Sequence, residues 1–346
     1  MKKRILPAVL SIVLLLAALM SAQAVLIPSR YDNREGHLLC GYYDVSDKHD
    51  VIFVGDCEIY EGIVPAVLYE KYGMTSYVRG SSQQTVWQSY HVLEETLTKD
   101  PDVKVVVFNV LALKYGKTPK ESISRMTLED MRWSPAKLQA IKASMTEDES
   151  FLSYFMPILR YHDRWSELTA ADLAHTFFKH EDITHQGYLM QTDIVPVDPA
   201  DTREPDALID STLPARSMEY LDKMQDLCAQ HGAELVLIKA PTNSVKYYWY
   251  DEWDAQIVAY AQTNNLTYYN FIGMDAELGL DWSTDTYDAG LHLNVYGAEK
   301  WTLYLGNLLM TNHGVPDRRG DAALDALWEQ RIHNYHNEKQ QGVNAQ

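Results

Sequence analysis

Short runs of β-branched and aliphatic residues recur along this chain, and each is followed by a stretch with helical periodicity. They lie near Val51 (VIFV), Tyr77 (TSYVRG), Val105 (DVKVVVFNV), Leu235 (AELVLIKAP) and Tyr268 (LTYYNFIG). Strands that are apolar on both faces are typical of parallel sheets covered by helices on each side. The alternation therefore predicts an α/β fold with a doubly wound, mostly parallel sheet.

The strand and helix pattern also predicts the domain organisation. We expect an N-terminal targeting segment over residues 1–27, an irregular stalk over 28–48, and an α/β domain over 49–315. A helical, turn-rich segment at about 114–212 interrupts the rhythm and is interpreted as an insertion that covers one end of the sheet. The polar residues 316–346 are predicted to be a frayed tail.

The N-terminus has the pattern of an export signal. Lys2, Lys3 and Arg4 precede an apolar run that extends to Ile27, and such cationic flanks stay in the cytoplasm. The run is long enough to span a bilayer, which predicts a single-pass membrane protein with an extracytoplasmic domain. The tripeptide Ala-Gln-Ala at 22–24 also fits a signal-peptidase site, and cleavage after Ala24 would give a secreted protein.

Composition narrows the set of partners. The chain has 30 Lys and Arg against 48 Asp and Glu, a net charge of -18, so we expect no nucleic-acid partner. The 23 Tyr and 8 Trp suit contact with sugar rings, although most aromatic side chains pack in cores. Trp249 and Trp253 are candidates for either role.

Three cysteines are present, Cys40, Cys57 and Cys228, and their spacing does not indicate a zinc site. Cys228 lies at helical core spacing, and whether it pairs with Cys40 is left open. Metal ions and organic cofactors are not expected to be needed.

The carboxyl ends of the strands carry the residues with chemical potential, because functional groups of doubly wound sheets lie at that edge. Cys57 follows the first strand near a helix N-terminus, a position that favours a lowered thiol pKa. Gly80 ends the second strand, where its N–H can approach a ligand closely. His292 precedes the last predicted helix, and Asp285 or Asp288 upstream can orient its imidazole.

The motifs VGDC, RGSS and DAGLHLN, in this order on an α/β chain, resemble those of the SGNH (GDSL-type) hydrolases and the related cell-surface O-acyltransferases. The resemblance covers about residues 48–115 and 232–312. It implies a three-layer α/β/α sheet and acyl transfer to or from an ester. It also implies that Cys57 is the nucleophile, Gly80 an oxyanion-hole residue and His292 the base.

The chain departs from that family's pattern at three positions. Cysteine replaces the family's serine at Cys57, and the usual aspartate position, three residues before His292, is Ala289. Asp288 stands one residue further back. The expected oxyanion asparagine falls near an alanine, which leaves Asn109 or Asn243 as candidates. A thiol needs less help from its base than a hydroxyl, so a Cys–His pair can work without a well-placed carboxylate.

Neighbouring polar residues have two readings each. Arg79, Gln83 and Gln84 are placed near the site, where they would either bind a polar substrate or hydrogen-bond within the loop. Glu58 and Glu61 are interpreted as the solvated face of a helix start.

The sequence thus predicts an extracytoplasmic ester hydrolase or O-acyl (acetyl) transferase that acts on an acylated cell-envelope glycan or related ester through Cys57, His292 and Asp288. The alternative is a catalytically decayed protein of the same fold that binds glycans or assists envelope-assembly partners. A cytoplasmic thioesterase is a third reading, which the N-terminal segment argues against.

Overall fold

The structure is a computed structural model that describes residues 2–28, 34–178, 184–198, 210–243 and 250–345. The chain forms two compact units. The first, called the helical unit, comprises Met1–Arg34 and Met145–Ile183. The second, called the α/β unit, comprises Glu35–Ser144 and Thr184–Gln346 and contains the sheet.

Five parallel strands form one sheet in the order β2-β1-β3-β4-β5. Their bounds are β1 Val51–Gly55, β2 Ser76–Gly80, β3 Val105–Asn109, β4 Glu234–Lys239 and β5 Thr267–Asn270. Each predicted strand is present, and the prediction of a mostly parallel α/β sheet is confirmed.

The helices are α1 Lys2–Leu26, α2 Cys57–Tyr60, α3 Pro65–Tyr72, α4 Val86–Lys99, α5 Glu121–Asp130, α6 Pro135–Ser144, α7 Leu152–Phe155, α8 Ile158–Tyr161, α9 Ala170–Phe177, α10 Ala215–His231, α11 Tyr250–Thr263, α12 Asp275–Leu278, α13 Val295–Asn312 and α14 Ala322–Ala345. Among the described residues, four short 3-10 helices lie at Arg34–His37, Cys40–Tyr43, Val110–Lys114 and His162–Ser166.

Alternating strand residues point into two separate cores, one on each face of the sheet. Val51 and Phe53 of β1 pack with α3, α13 and α14, whereas Ile52 and Val54 pack with α4, α10 and α11. Both faces are fully buried along β1, β2 and β3. The result is a helix–sheet–helix sandwich of three layers.

The expected stalk differs from the structure in its second half. Leu38, Leu39 and Tyr42 are buried in the α/β unit, and Asp130 accepts hydrogen bonds from the backbone N–H groups of Leu39 and Cys40 at 2.5 and 2.7 Å. Residues 35–43 are therefore part of the folded domain. Residues 29–33 of the predicted stalk lie outside the described residues.

The prediction of a frayed tail is wrong for residues 322–345, which form α14. Trp328 and Tyr335 are completely buried, and the Trp328 ring stacks on Tyr69 of α3 with 4.7 Å between centroids. Arg331 pairs with Asp47 at 2.7 and 2.8 Å. Two aromatic anchors thus hold a helix whose composition is mostly polar.

The interrupting segment belongs to both units. Helices α5 and α6 pack in the α/β unit, where α6 contacts α4 beside the sheet, and residues 184–198 also belong to that unit. Helices α7, α8 and α9 belong to the helical unit and contact one another or α1. Residues 199–209, which include much of the turn-rich acidic stretch, lie outside the described residues.

Helix α1 contains an 18-residue window, Val9–Leu26, that is long and apolar enough to cross a membrane by length and composition. This agrees with the predicted targeting segment, and the same test is also passed by signal sequences.

Candidate active site

The carboxyl ends of β1 and β2 meet at one edge of the sheet, where Gly55 and Gly80 are register partners. A Cβ on Gly80 would lie 3.2 Å from the Gly55 carbonyl oxygen, and one on Gly55 would lie 2.9 Å from Ile59. Close packing therefore explains both glycines. After Gly55, Asp56 caps α2 through a hydrogen bond from the Glu58 backbone N–H, which puts Cys57 at the first residue of that helix.

Cys57, His292 and Asp288 form a hydrogen-bonded chain at this edge. The Cys57 Sγ lies 2.9 Å from Nε2 of His292, and Nδ1 of His292 lies 2.6 Å from Oδ2 of Asp288. Cys57 is half-buried. Such a chain of groups is able to supply a nucleophile, a base and an orienting acid.

Asp288 reaches His292 because the turn between them has left-handed backbone. Ala289 has φ 60° and Gly290 has φ 90°, so the chain curls back and the carboxylate four residues before the histidine meets both its ring and its backbone N–H, the latter at 2.7 Å. The loop after β4 holds this turn: Thr242 donates to the carbonyl of Gly290 at 2.9 Å, and Asn243 N–H does the same at 2.9 Å.

The expectation of a lowered thiol pKa is wrong. Burial raises the pKa of Cys57 to about 11, and the hydrogen bond to His292 acts in the opposite direction without overcoming it. Burial also opposes the charged form of His292, but the hydrogen bonds to Asp288 and Cys57 outweigh this and raise the histidine pKa. Helix α2 has only one turn, and its N-terminus does not outweigh the effect of burial on the thiol.

A second carboxylate, missed by the sequence reasoning, lies beside the same histidine. Glu61 is buried rather than solvated, and its Oε2 lies 3.9 Å from Nδ1 of His292. Tyr287 donates to Glu61 at 2.9 Å and stacks its ring on the imidazole, with centroids 6.0 Å apart. Burial raises the Glu61 pKa to about 7, while His292 and Tyr287 act in the opposite direction. Imidazolium formation is thus supported from two sides.

Behind Cys57 lies a polar network built on Glu58. Like Glu61, Glu58 is buried and does not lie on a solvated helix face as the sequence predicts. Lys239, at the end of β4, donates to both Glu58 oxygens at 2.7 and 2.8 Å. Asn109 donates to Glu58 at 2.8 Å and to Asp56 at 3.0 Å. Burial and the neighbouring Glu58 charge raise the pKa of Asp56 to about 6. The network ties the ends of β1, β3 and β4 together beneath the nucleophile.

The two asparagines predicted as oxyanion-hole candidates, Asn109 and Asn243, lie in different surroundings. Asn109 is completely buried. Its amide oxygen accepts from the Ala240 N–H at 3.3 Å, and its amide nitrogen donates to the carboxylates of Asp56 and Glu58. Its amide is therefore used in the network rather than aimed at a substrate. Asn243 is half-buried and lies against Gly290, beside the turn that carries His292.

Arg79 and Gln84 are both buried, which contradicts a substrate-binding role and favours hydrogen bonding within the protein. The Arg79 side chain is 0% exposed, donates to the Leu39 carbonyl at 2.8 Å and lies over the ring of Tyr42. Strand alternation sends it to the face opposite that of Val78, which packs in the other core. Gln84 is buried and donates to the carbonyl of Arg79 at 3.2 Å, which is loop packing.

Three further candidates are placed away from this chemistry. Trp253 is buried in the core between the sheet and α11, and Trp249 lies outside the described residues. Within the described part of the chain, no disulfide joins Cys40 to Cys228. His37, Cys40 and Asp130 have potential ligand atoms within 4.8 Å of one another, but Asp130 already accepts from two backbone N–H groups of the adjoining 3-10 turn.

Comparison of the chain with known proteins found matches among solved structures. No family model matches the chain, and no curated protein matches it. Among solved structures, it is similar to a protein of Bacteroides fragilis described as a "putative acylhydrolase", with 12% identity and a TM-score of 0.38 over 80% of this chain and 93% of that one.

Proposed function

We propose that this protein is an ester hydrolase or O-acyltransferase of the SGNH type, which works through a Cys57–His292–Asp288 triad. The observation that carries the proposal is the unbroken hydrogen-bonded chain, 2.9 Å from sulfur to imidazole and 2.6 Å from imidazole to carboxylate, at the carboxyl edge of a parallel sheet. A buried thiol with a raised pKa needs a base, and His292 lies within hydrogen-bond distance of it.

The acylation step follows from this geometry. The Cys57 sulfur attacks the ester carbonyl carbon while its proton moves to Nε2 of His292, and the carbonyl oxygen becomes an oxyanion. The resulting imidazolium is stabilised by Asp288 and by the nearby Glu61. The intermediate then collapses: the bond to the leaving oxygen breaks, His292 returns the proton to that oxygen, and an acyl thioester remains on Cys57.

Deacylation reverses the sequence with a different nucleophile. Water or an acceptor hydroxyl gives its proton to His292 and attacks the thioester carbonyl, and the departing thiolate takes the proton back. Backbone N–H groups of Cys57 and Gly80 are the proposed oxyanion donors. Cys57 is the first residue of α2, where N–H groups have no partner within the helix, and Gly80 ends the neighbouring strand β2 in register with Gly55.

The proposed substrate is an acylated glycan or related ester outside the cytoplasm. The apolar α1 after three cationic residues supports export and a single-pass anchor, and the net charge of -18 argues against polyanionic substrates. Acetyl is the proposed acyl group, and envelope-assembly proteins are proposed as further partners.

The test measures both turnover and the covalent intermediate. The purified full chain in detergent is incubated with p-nitrophenyl acetate and with an O-acetylated glycan, and acetate release and acetyl transfer to added glycan are quantified. Mass spectrometry of rapidly quenched enzyme locates the acetyl thioester. We expect it on Cys57, with activity lost in Cys57→Ala and kept in the matched control Cys40→Ala.

Failure has a defined form. If wild type and Cys57→Ala are equally inert on every ester and no thioester is found, acyl transfer is refuted. Retained glycan binding by that inert protein would then favour the non-catalytic, binding function.

A further inference from the structure

The described part of the insertion exposes apolar side chains at an unusual density. We call residues 145–178 the collar. Its exposed large apolar side chains have 46–82% of their surface accessible and are Leu152, Phe155, Leu159, Trp165, Leu173, Phe177 and Phe178. Exposed apolar surface of this extent marks a binding surface rather than a solvated one.

The collar packs around one end of α1 only. Helices α8 and α9 and the intervening 3-10 helix contact α1, and Gln23, Val25 and Leu26 are buried, whereas the exposed side of α1 continues from Val9 to Met20. Arg164 donates to the Leu26 carbonyl at 2.7 Å and pairs with Asp172 of α9 at 3.2 Å. The last turn of α1 is therefore built into the collar.

This position corresponds to the outer boundary of a bilayer. Lys2, Lys3 and Arg4 place the start of α1 at the cytoplasmic face, and the apolar window Val9–Leu26 corresponds to about 27 Å at ~1.5 Å per residue. Its end at Leu26 then lies where hydrocarbon gives way to head groups. Trp and Phe, which the collar exposes, are side chains suited to that layer.

The balance of acidic and basic residues in the collar indicates which kind of surface it contacts. Residues 145–178 contain acidic residues at 147, 148, 149, 163, 167 and 172 but basic arginines only at 160 and 164. A surface with this balance is not attracted to anionic lipid head groups or nucleic acid. Apolar burial remains as the driving force, which fits the interface of an uncharged, zwitterionic leaflet.

We propose that the collar is seated in the outer leaflet of the membrane that α1 spans, with Trp165 and its apolar neighbours at the head-group boundary. The proposal goes beyond the acyl-transfer function and requires only that α1 is a membrane anchor. The protein then contacts the membrane through the short helices of the collar as well as through α1, rather than through a single helix with a flexible linker.

The experiment uses tryptophan quenching by lipids. The full chain is reconstituted in phosphatidylcholine vesicles with and without brominated acyl chains, as wild type, Trp165→Phe and the control Trp133→Phe, whose indole is also exposed but lies in the α/β unit. We expect quenching by brominated lipid to fall at least twofold in Trp165→Phe and to be unchanged in Trp133→Phe. Addition of salt should not alter the result.

Each other outcome overturns the proposal. Equal quenching in all three proteins, with iodide in the water quenching Trp165, would place the collar in solvent. Protection of Trp165 from both quenchers would indicate a protein partner, such as a second copy. Removal of the whole chain from vesicles by alkaline carbonate would refute the anchor itself. Ester cleavage is measured on the same samples, so a failure here is separate from a failure of the proposed chemistry.

Discussion

Lys239→Met tests the polar network beneath the nucleophile. In the native protein Lys239 is 1% exposed and contacts both oxygens of Glu58, while Asn109 links Glu58 to Asp56. Methionine has similar length and no charge. The substitution therefore leaves two buried carboxylates that share an amide donor but have lost their cation.

The expected cost follows from that unpaired charge. Removal of one partner of a buried ion pair destabilises a protein by about 3–5 kcal/mol. At about 2–4 °C per kcal/mol for domains of this class, the melting temperature should fall by roughly 6–20 °C. The Asp56 pKa is already raised to about 6 by burial and by Glu58, and Lys239 opposes that rise. A raised carboxylate pKa costs stability above the pKa, so the deficit should be larger at pH 8 than at pH 5.

The assay is thermal unfolding followed by circular dichroism at pH 5 and pH 8. The double variant Glu58→Gln/Lys239→Met should recover much of the loss, because the carboxylate that Lys239 contacts is removed and Asp56 loses its like-charged neighbour. Lys223→Met, which removes an exposed pair with Glu219, is the matched control and should change little. A loss under about 1 kcal/mol for Lys239→Met, or a loss independent of pH, would refute the reasoning.

Three other substitutions test the triad and the C-terminal helix. Cys57→Ser should cleave p-nitrophenyl acetate more slowly than wild type but faster than Cys57→Ala, because the Asp288–His292 pair is complete; initial rates equal to those of Cys57→Ala would contradict this. Asp288→Asn should lower kcat by roughly 10²–10⁴-fold. It should also shift the acid limb of the kcat/KM profile to lower pH, because the hydrogen bond that raises the His292 pKa is weakened; an unmoved limb would show that thiolate and imidazolium are already formed at rest. Trp328→Ala should cost about 3–5 kcal/mol in urea unfolding, since its ring is completely buried; an unchanged midpoint would mean that α14 does not contribute to the core.

The strands of the sheet can be predicted from the sequence because the pattern that indicates each of them is local. Strands β1 and β3 are rich in apolar residues on both faces and are followed by turns and helical stretches, so the pattern within a few residues suffices. The alternation of side chains along a strand also indicates that Arg79 points to the face opposite that of Val78. Helix α14 is harder to predict, because its mostly polar sequence contains only two aromatic anchors, Trp328 and Tyr335, at helical spacing.

The rest of the site depends on relations that sequence spacing does not contain. Asp288 reaches His292 only because Ala289, a residue that seldom adopts positive φ, has φ 60°. The pairing of Glu58 with Lys239 joins helix α2 to the end of strand β4, and nothing near Glu58 in the sequence indicates its cation. The sequence therefore indicates a solvated Glu58, because Lys239 becomes its neighbour only in the folded protein.

The order of strands in the sheet has a consequence for biosynthesis. β3 ends at Asn109, but its neighbour β4 begins at Glu234, so one side of a mostly apolar strand has no partner while the intervening residues are made. At ribosomal speeds of ~5–20 residues per second that interval is roughly 6–25 s. During this time Val105–Asn109 is an unpaired edge that can recruit strands from other chains. Nascent chains that stall before β4 should therefore aggregate, and a chaperone that shields this edge would raise the yield of folded protein.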